Sequence, residues 1–73
     1  MIKVLFFGSV ADKLGKRSAN AQAGLSLAEL IAQLECVDIQ PLLVAVNQEQ
    51  VQDMNYIVQD GDEVALMPPF SGG

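Results

Sequence analysis

Only one stretch of this sequence is written as a full amphipathic helix, and that limits what the chain can build. Ser26-Leu27-Ala28-Glu29 follows the S-x-x-E capping-box pattern, and Leu27, Leu30, Ile31 and Leu34 recur at i, i+3, i+4 and i+7. The spacing predicts one main helix over residues 26–36. Short runs rich in strand formers lie on both sides of it, so the helix must cover a sheet, and one helix covers only one face. At 73 residues there is room for a single core, and a 51% hydrophobic composition is enough to fill it.

The strands follow from alternation. Lys3 to Phe7 is a strand ended by Gly8, with Ile2, Val4 and Phe6 on one face and Lys3, Leu5 and Phe7 on the other. Ser9-Val10-Ala11-Asp12 matches a helix start, and Val10, Leu14 and Gly15 complete a helix of one to two turns. Arg17 to Ala23 alternates weakly and is expected to return as a hairpin, closed by Gly24. Leu42 to Val46 is a strand, Asn47 to Glu49 turn, and Gln50 to Gln52 come back. After the Asp60-Gly61 turn, Val64 and Leu66 alternate with Glu63, Ala65 and Met67 in a last strand. Pro68-Pro69 ends it, since proline has no N–H to give a ladder. The expected class is α+β, with a domain over residues 1–67 and an extended tail over 68–73.

If Ile2, Val4, Phe6, Val44, Val46, Val64 and Leu66 pack under Leu27, Leu30, Ile31 and Leu34, the uncovered face carries Leu5, Phe7, Leu43, Ala45 and Met67. An apolar patch of that kind marks a protein interface.

Charge and composition exclude several functions. With nine acidic and four basic side chains the net charge is −5, which opposes nucleic-acid phosphate and anionic lipid. The four cations, Lys3, Lys13, Lys16 and Arg17, all precede residue 18, and of the acidic side chains only Asp12 is among them. The acidic remainder reads either as a solvated surface that keeps the chain soluble or as a means of steering it toward a basic partner. One cysteine and no histidine leave no disulfide framework, zinc finger or Ser-His arrangement. No run approaches the roughly 18 apolar residues of a membrane span, and no cleavage pattern follows Met1 to Phe7. A cytosolic protein with a reduced thiol is expected.

The chemistry is expected at the end of the chain. Pro68-Pro69-Phe70-Ser71-Gly72-Gly73 follows a strand directly, and six residues at roughly 3.3 Å each reach about 20 Å, enough to enter another protein's active site. Gly72 and Gly73, without Cβ, fit a channel too narrow for other residues. The reactive group would be the Gly73 α-carboxylate. With a reference pKa of about 3.3–3.7 it is ionised at neutral pH, and it needs activation by ATP before a sulfur or amine nucleophile can attack. The partner would supply nucleotide, metal and bases.

Taken together, Met1-Ile2-Lys3-Val4-Leu5-Phe6-Phe7 with Leu14-Gly15, Leu42 to Gln48, and Asp60-Gly61-Asp62-Glu63-Val64-Ala65 leading into Pro68-Pro69-Phe70-Ser71-Gly72-Gly73 resemble the MoaD family, the small subunits of molybdopterin synthase. The resemblance runs over essentially the whole chain. It implies a ubiquitin-like sulfur carrier of the β-grasp fold, with a mixed sheet of four or five strands. It implies that an E1-like adenylyltransferase activates Gly73 with ATP and that a sulfurtransferase step makes a thiocarboxylate there. The tail then delivers sulfur to a pterin precursor inside a large subunit, in a 2:2 heterotetramer. The carrier itself binds no cofactor or metal and is not an enzyme. Gly73 bears the sulfur and Gly72 threads beside it, while Phe7, Leu43, Met67, Pro68, Pro69, Phe70 and Ser71 meet the partner.

The chain departs from that family in two places. Glu35 to Pro41 is shorter than the family's second-helix region, and Ala11 stands where many members carry a basic residue, so a partner salt bridge is absent or shifted to Lys13. Cys36 reads either as a sulfur relay or as a small apolar residue at the helix end. A thiamine-pathway sulfur carrier, a ubiquitin-like modifier joined through Gly73 to target lysines, and an interaction module with an inert tail are the alternatives. Pro68-Pro69 and Phe6-Phe7 favour the molybdopterin role.

Overall fold

A computed structural model describes residues 1–36, 38–39 and 42–69. The strands are β1 (Ile2–Phe6), β2 (Ser18–Ala21), β3 (Leu43–Val46), β4 (Glu49–Gln50) and β5 (Glu63–Met67), and the helices α1 (Gly8–Leu14) and α2 (Leu27–Gln33). They form one five-stranded sheet in the order β2-β1-β5-β3-β4. β1 runs parallel to β5, and the other pairings are antiparallel. This is the mixed sheet expected, and the element order is the one read from the sequence.

Alternation decides the faces. Ile2, Val4 and Phe6 of β1, Val44 and Val46 of β3, and Val64 and Leu66 of β5 are buried, and Leu27, Leu30 and Ile31 of α2 close over them. Leu34, expected among them, is only half-buried. Val10, Cys36 and Val58 join the same core.

Boundaries differ from expectation for local reasons. α2 stops at Gln33 because Glu35 turns left-handed at φ 62. The Glu35 and Cys36 amides then donate back to the Ala32 and Ile31 carbonyls, at 3.1 and 3.0 Å, in the Schellman pattern, here built without glycine. Cys36 therefore lies past the helix, folded back into the core. At the other end the capping box forms as read: Ser26 Oγ accepts from the Glu29 amide, and Glu29 Oε1 accepts from the Ser26 amide. The Leu27 and Ala28 amides donate to the Tyr56 and Met54 carbonyls, so the long loop after β4 caps α2 as well.

The cap expected at Ser9 does not form. α1 begins two residues earlier, at Gly8, with Phe7 as an N-cap that offers no side-chain bond. The Phe7 amide is still paired to the Leu66 carbonyl as a strand residue, while its own carbonyl accepts from Val10 and starts the helix. β2 is confined to Ser18–Ala21, shorter than the expected Arg17 to Ala23, and β4 to Glu49–Gln50 rather than Gln50 to Gln52. Asn47 and Gln48 both take positive φ, 52 and 71, which is the tight hairpin geometry that brings β4 back one residue sooner.

A buried carboxylate ties the loop to the sheet. Asp62 accepts from the Gln59 amide, from Asn47 Nδ2 and from the Tyr56 hydroxyl, at 2.9, 2.9 and 2.8 Å. Asn47 Oδ1 in turn accepts from the Glu63 amide. These donors, the Gln59 amide first, hold the Asp62 pKa below the ordinary carboxylate range. A folded-state pKa below the unfolded one means stability that is present above the unfolded value and lost as pH falls through the folded one. Thermal unfolding measured against pH is therefore expected to show wild type losing stability from about pH 4 downward. Asp62→Asn should be less stable at neutral pH and lack that part of the acid decline; parallel curves for the two proteins would contradict the assignment.

Candidate functional site

The β1–β5 register places the two ends of the chain side by side. Phe6 stands opposite Leu66, and the Phe7 amide donates to the Leu66 carbonyl at 3.0 Å, so Phe7 continues the pairing toward Met67. Met67 is in turn opposite Leu43 on β3. Phe7, Met67 and Leu43 thus form a row across the uncovered face, at the sheet end from which Pro68 departs. Behind them Leu5, Ala65 and Ala45 form the next row of the same face. Phe7 is 48% exposed, and Leu5, Leu43, Ala45 and Met67 are half-buried. The apolar open face inferred from alternation is therefore present.

Pro68 and Pro69 are half-buried where the chain leaves β5. Phe70, Ser71, Gly72 and Gly73, the remaining expected site residues, lie outside the described residues. α1 separates two grooves beside this point. One, of about 510 Å³, runs from Leu5 and Phe7 past Gly8 and Ala11 to Asp12 and Arg17. The other, of about 260 Å³, is lined by Val10, Lys13 and Ile39 together with Pro68 and Pro69. The cation that shares a groove with Ala11 is consequently Arg17, while Lys13 faces the root of the tail. Arg17 escapes a reading along the chain because it comes from the hairpin return, where its carbonyl accepts from the Phe6 amide at 2.9 Å.

Among the described residues no group of three His, Cys, Asp or Glu side chains is placed to hold a metal ion, and no helix is long and apolar enough to cross a membrane. Cys36 is fully buried, and burial pushes its thiol pKa up. A thiol in that state is a poor nucleophile, and its packing among core residues accounts for it as a small apolar residue.

A sequence profile of the ThiS family matches residues 4–73. The chain belongs to the ThiS family. Its relatives of full length include the molybdopterin synthase sulfur carrier subunit of Escherichia coli K12, 35% identical over 82 residues that cover 100% of each chain. The corresponding human subunit is 32% identical, covering 99% of this chain and 93% of its own. Among solved structures, the Helicobacter pylori complex of subunits 1 and 2 of molybdopterin-converting factor contains a similar chain, with TM-score 0.70 and 27% identity over 99% of this chain and 97% of that one. SAMP1 of Haloferax volcanii shares the ubiquitin-like β-grasp fold at TM-score 0.72 and 20% identity, covering 99% and 98%.

For this ThiS-family chain the two sheet faces should respond differently to mutation. Phe7→Asp is expected to move the free energy of unfolding by no more than about 0.5 kcal/mol, whereas Leu66→Ala should cost about 2–5 kcal/mol. Denaturant melts of both variants check this, and a collapse of Phe7→Asp would show that Phe7 belongs to the core.

Proposed function

We propose that this chain is the sulfur carrier subunit of a molybdopterin synthase, with the Gly73 carboxylate as its reactive group. The observation that carries the reading is the end-to-end match to sulfur carrier subunits, 35% identical to the Escherichia coli one with neither chain left uncovered. The apolar row of Phe7, Met67 and Leu43 supports it. A partner seated on that row would receive the tail directly, because Pro68 follows Met67 in the chain.

The chemistry is set by the ionised terminus. A carboxylate oxygen of Gly73 attacks the α-phosphorus of ATP on an E1-like adenylyltransferase, and pyrophosphate leaves. The acyl-adenylate is then an electrophile. A persulfide sulfur supplied by a sulfurtransferase displaces AMP at the carbonyl carbon and gives an acyl disulfide; a second thiol then attacks the donor's sulfur, so the donor leaves as a disulfide and the chain ends in a thiocarboxylate. That sulfur is a stronger nucleophile toward carbon than the oxygen it replaces, and it is delivered to a pterin precursor in the active site of the large subunit. Two carriers flank a dimer of large subunits, in the cytosol. In this reading Gly72 and Gly73 thread the partner's channel, and Phe70 and Ser71 meet the partner. The net charge of −5 suits a partner surface rich in Lys and Arg. The carrier contributes no catalytic side chain: it supplies the aim and the sulfur.

The test is intact mass after incubation with the cognate activating enzyme, ATP and a sulfur source. Exchange of one carboxylate oxygen for sulfur is expected, located on Gly73 by fragmentation, and an unchanged mass contradicts the carrier role. Deleting Gly73, or adding a residue after it, should abolish transfer while leaving thermal unfolding almost unaltered. Recovery of a thiazole synthase or of lysine conjugates as bound products, rather than a pterin-synthesising subunit, would move the chain to the thiamine or modifier role.

A further inference from the structure

Gly8 takes no part in the chemistry above, yet it lies where the outgoing tail passes over α1. Its φ is +55. A Cβ built there would stand 3.3 Å from Pro68 Cγ and 3.4 Å from Pro68 Cδ. Those atoms belong to a ring closed onto the backbone nitrogen, so Pro68 has no rotamer to swing away into and can yield only by a change of ring pucker, which moves Cδ little. Nor can the chain before it yield freely: Met67 is held opposite Leu43, and the Leu66 carbonyl is held by the Phe7 amide. A displacement of the ring therefore moves the point where the chain leaves β5. Beside this contact Val10, Lys13 and Ile39 line the groove in which Pro68 and Pro69 sit.

We propose that Gly8 is a positioning residue for the C-terminal tail: its missing side chain lets the Pro68 ring seat on the first turn of α1, and that seat sets the direction in which the chain leaves the sheet. The functional consequence rests on the reading of Gly73 as the sulfur-bearing end; the seat itself does not. Partner affinity comes from the sheet face and is affected less.

Gly8 is also favoured by its backbone angle alone, and the two roles separate in a double-mutant cycle of Gly8→Val, Pro68→Ala and the pair. Left-handed strain is a property of the backbone at residue 8 and lowers the unfolding midpoint in both backgrounds. The clash exists only while the ring is present. In single-turnover sulfur delivery to the large subunit, Gly8→Val is expected to slow the rate about tenfold with a smaller change in affinity, and to add no further slowing in the Pro68→Ala background. Equal slowing in both backgrounds overturns the proposal. An NMR cross-peak between the Gly8 Hα protons and the Pro68 ring protons is expected in the wild-type chain, and its absence overturns the seat without any partner. Where Gly8→Val does not fold, Gly8→Ala replaces it in the same cycle. A wild-type chain that shows the cross-peak but never accepts sulfur refutes the carrier reading and leaves the seat standing.

Discussion

The parallel pairing of β1 with β5 is the constraint on which the site depends. It makes the first and last strands neighbours in the middle of the sheet, so residues far apart in sequence end at one edge. Phe7 follows the last residue of β1 beside Met67, the last residue of β5, and α1 begins beside Pro68, where the tail begins. Slipping β1 by one residue would exchange its buried and exposed faces, placing Lys3 and Leu5 under α2 and removing Phe7 from the open row. The hydrophobic alternation of both strands therefore fixes register, core and the apolar open face together.

Much of this is legible in the sequence because it is local. Period-two burial in β1, β3 and β5, the Ser26 to Glu29 capping box and the proline stop after Met67 each follow from a few adjacent residues. What escapes depends on partners distant in the chain. Asp62 reads as one more acidic residue of a turn, and only folding brings Asn47, 15 positions away, to satisfy it. Val58 and Cys36 carry no periodic pattern because each sits in irregular chain that turns back toward the core. The end of α2 is hidden because Glu35 takes the left-handed position that glycine usually advertises. The start of α1 is hidden because Phe7 serves strand and helix at once. In the site, Phe7, Leu43 and Met67 are readable by alternation, whereas the grouping of Arg17 with Ala11, and of Gly8 with Pro68, requires the hairpin and the parallel pair.

A small domain with no disulfide must hold its loops by other means if it is to aim a tail. Here the loop after β4 is fastened at both ends. Its carbonyls take the first amides of α2, and the Asp62 carboxylate gathers the Tyr56 hydroxyl, the Gln59 amide and the Asn47 side chain around the entry to β5. The strand that carries the tail is thereby anchored by the same network that closes the helix against the sheet. In the proposed role, rigidity in the globule and chemistry at the terminus would be complementary parts of one arrangement, the globule's contribution being where Gly73 is presented.

That claim is tested most directly by bypassing activation. A semisynthetic chain carrying a preformed thiocarboxylate on Gly73, mixed with the large subunit and pterin precursor in the absence of ATP and activating enzyme, is predicted to transfer its sulfur and return as the ordinary carboxylate. The same chain with an unmodified terminus should transfer none. Sulfur transfer that proceeds equally from the unmodified terminus, or fails from the thiocarboxylate, would contradict the account.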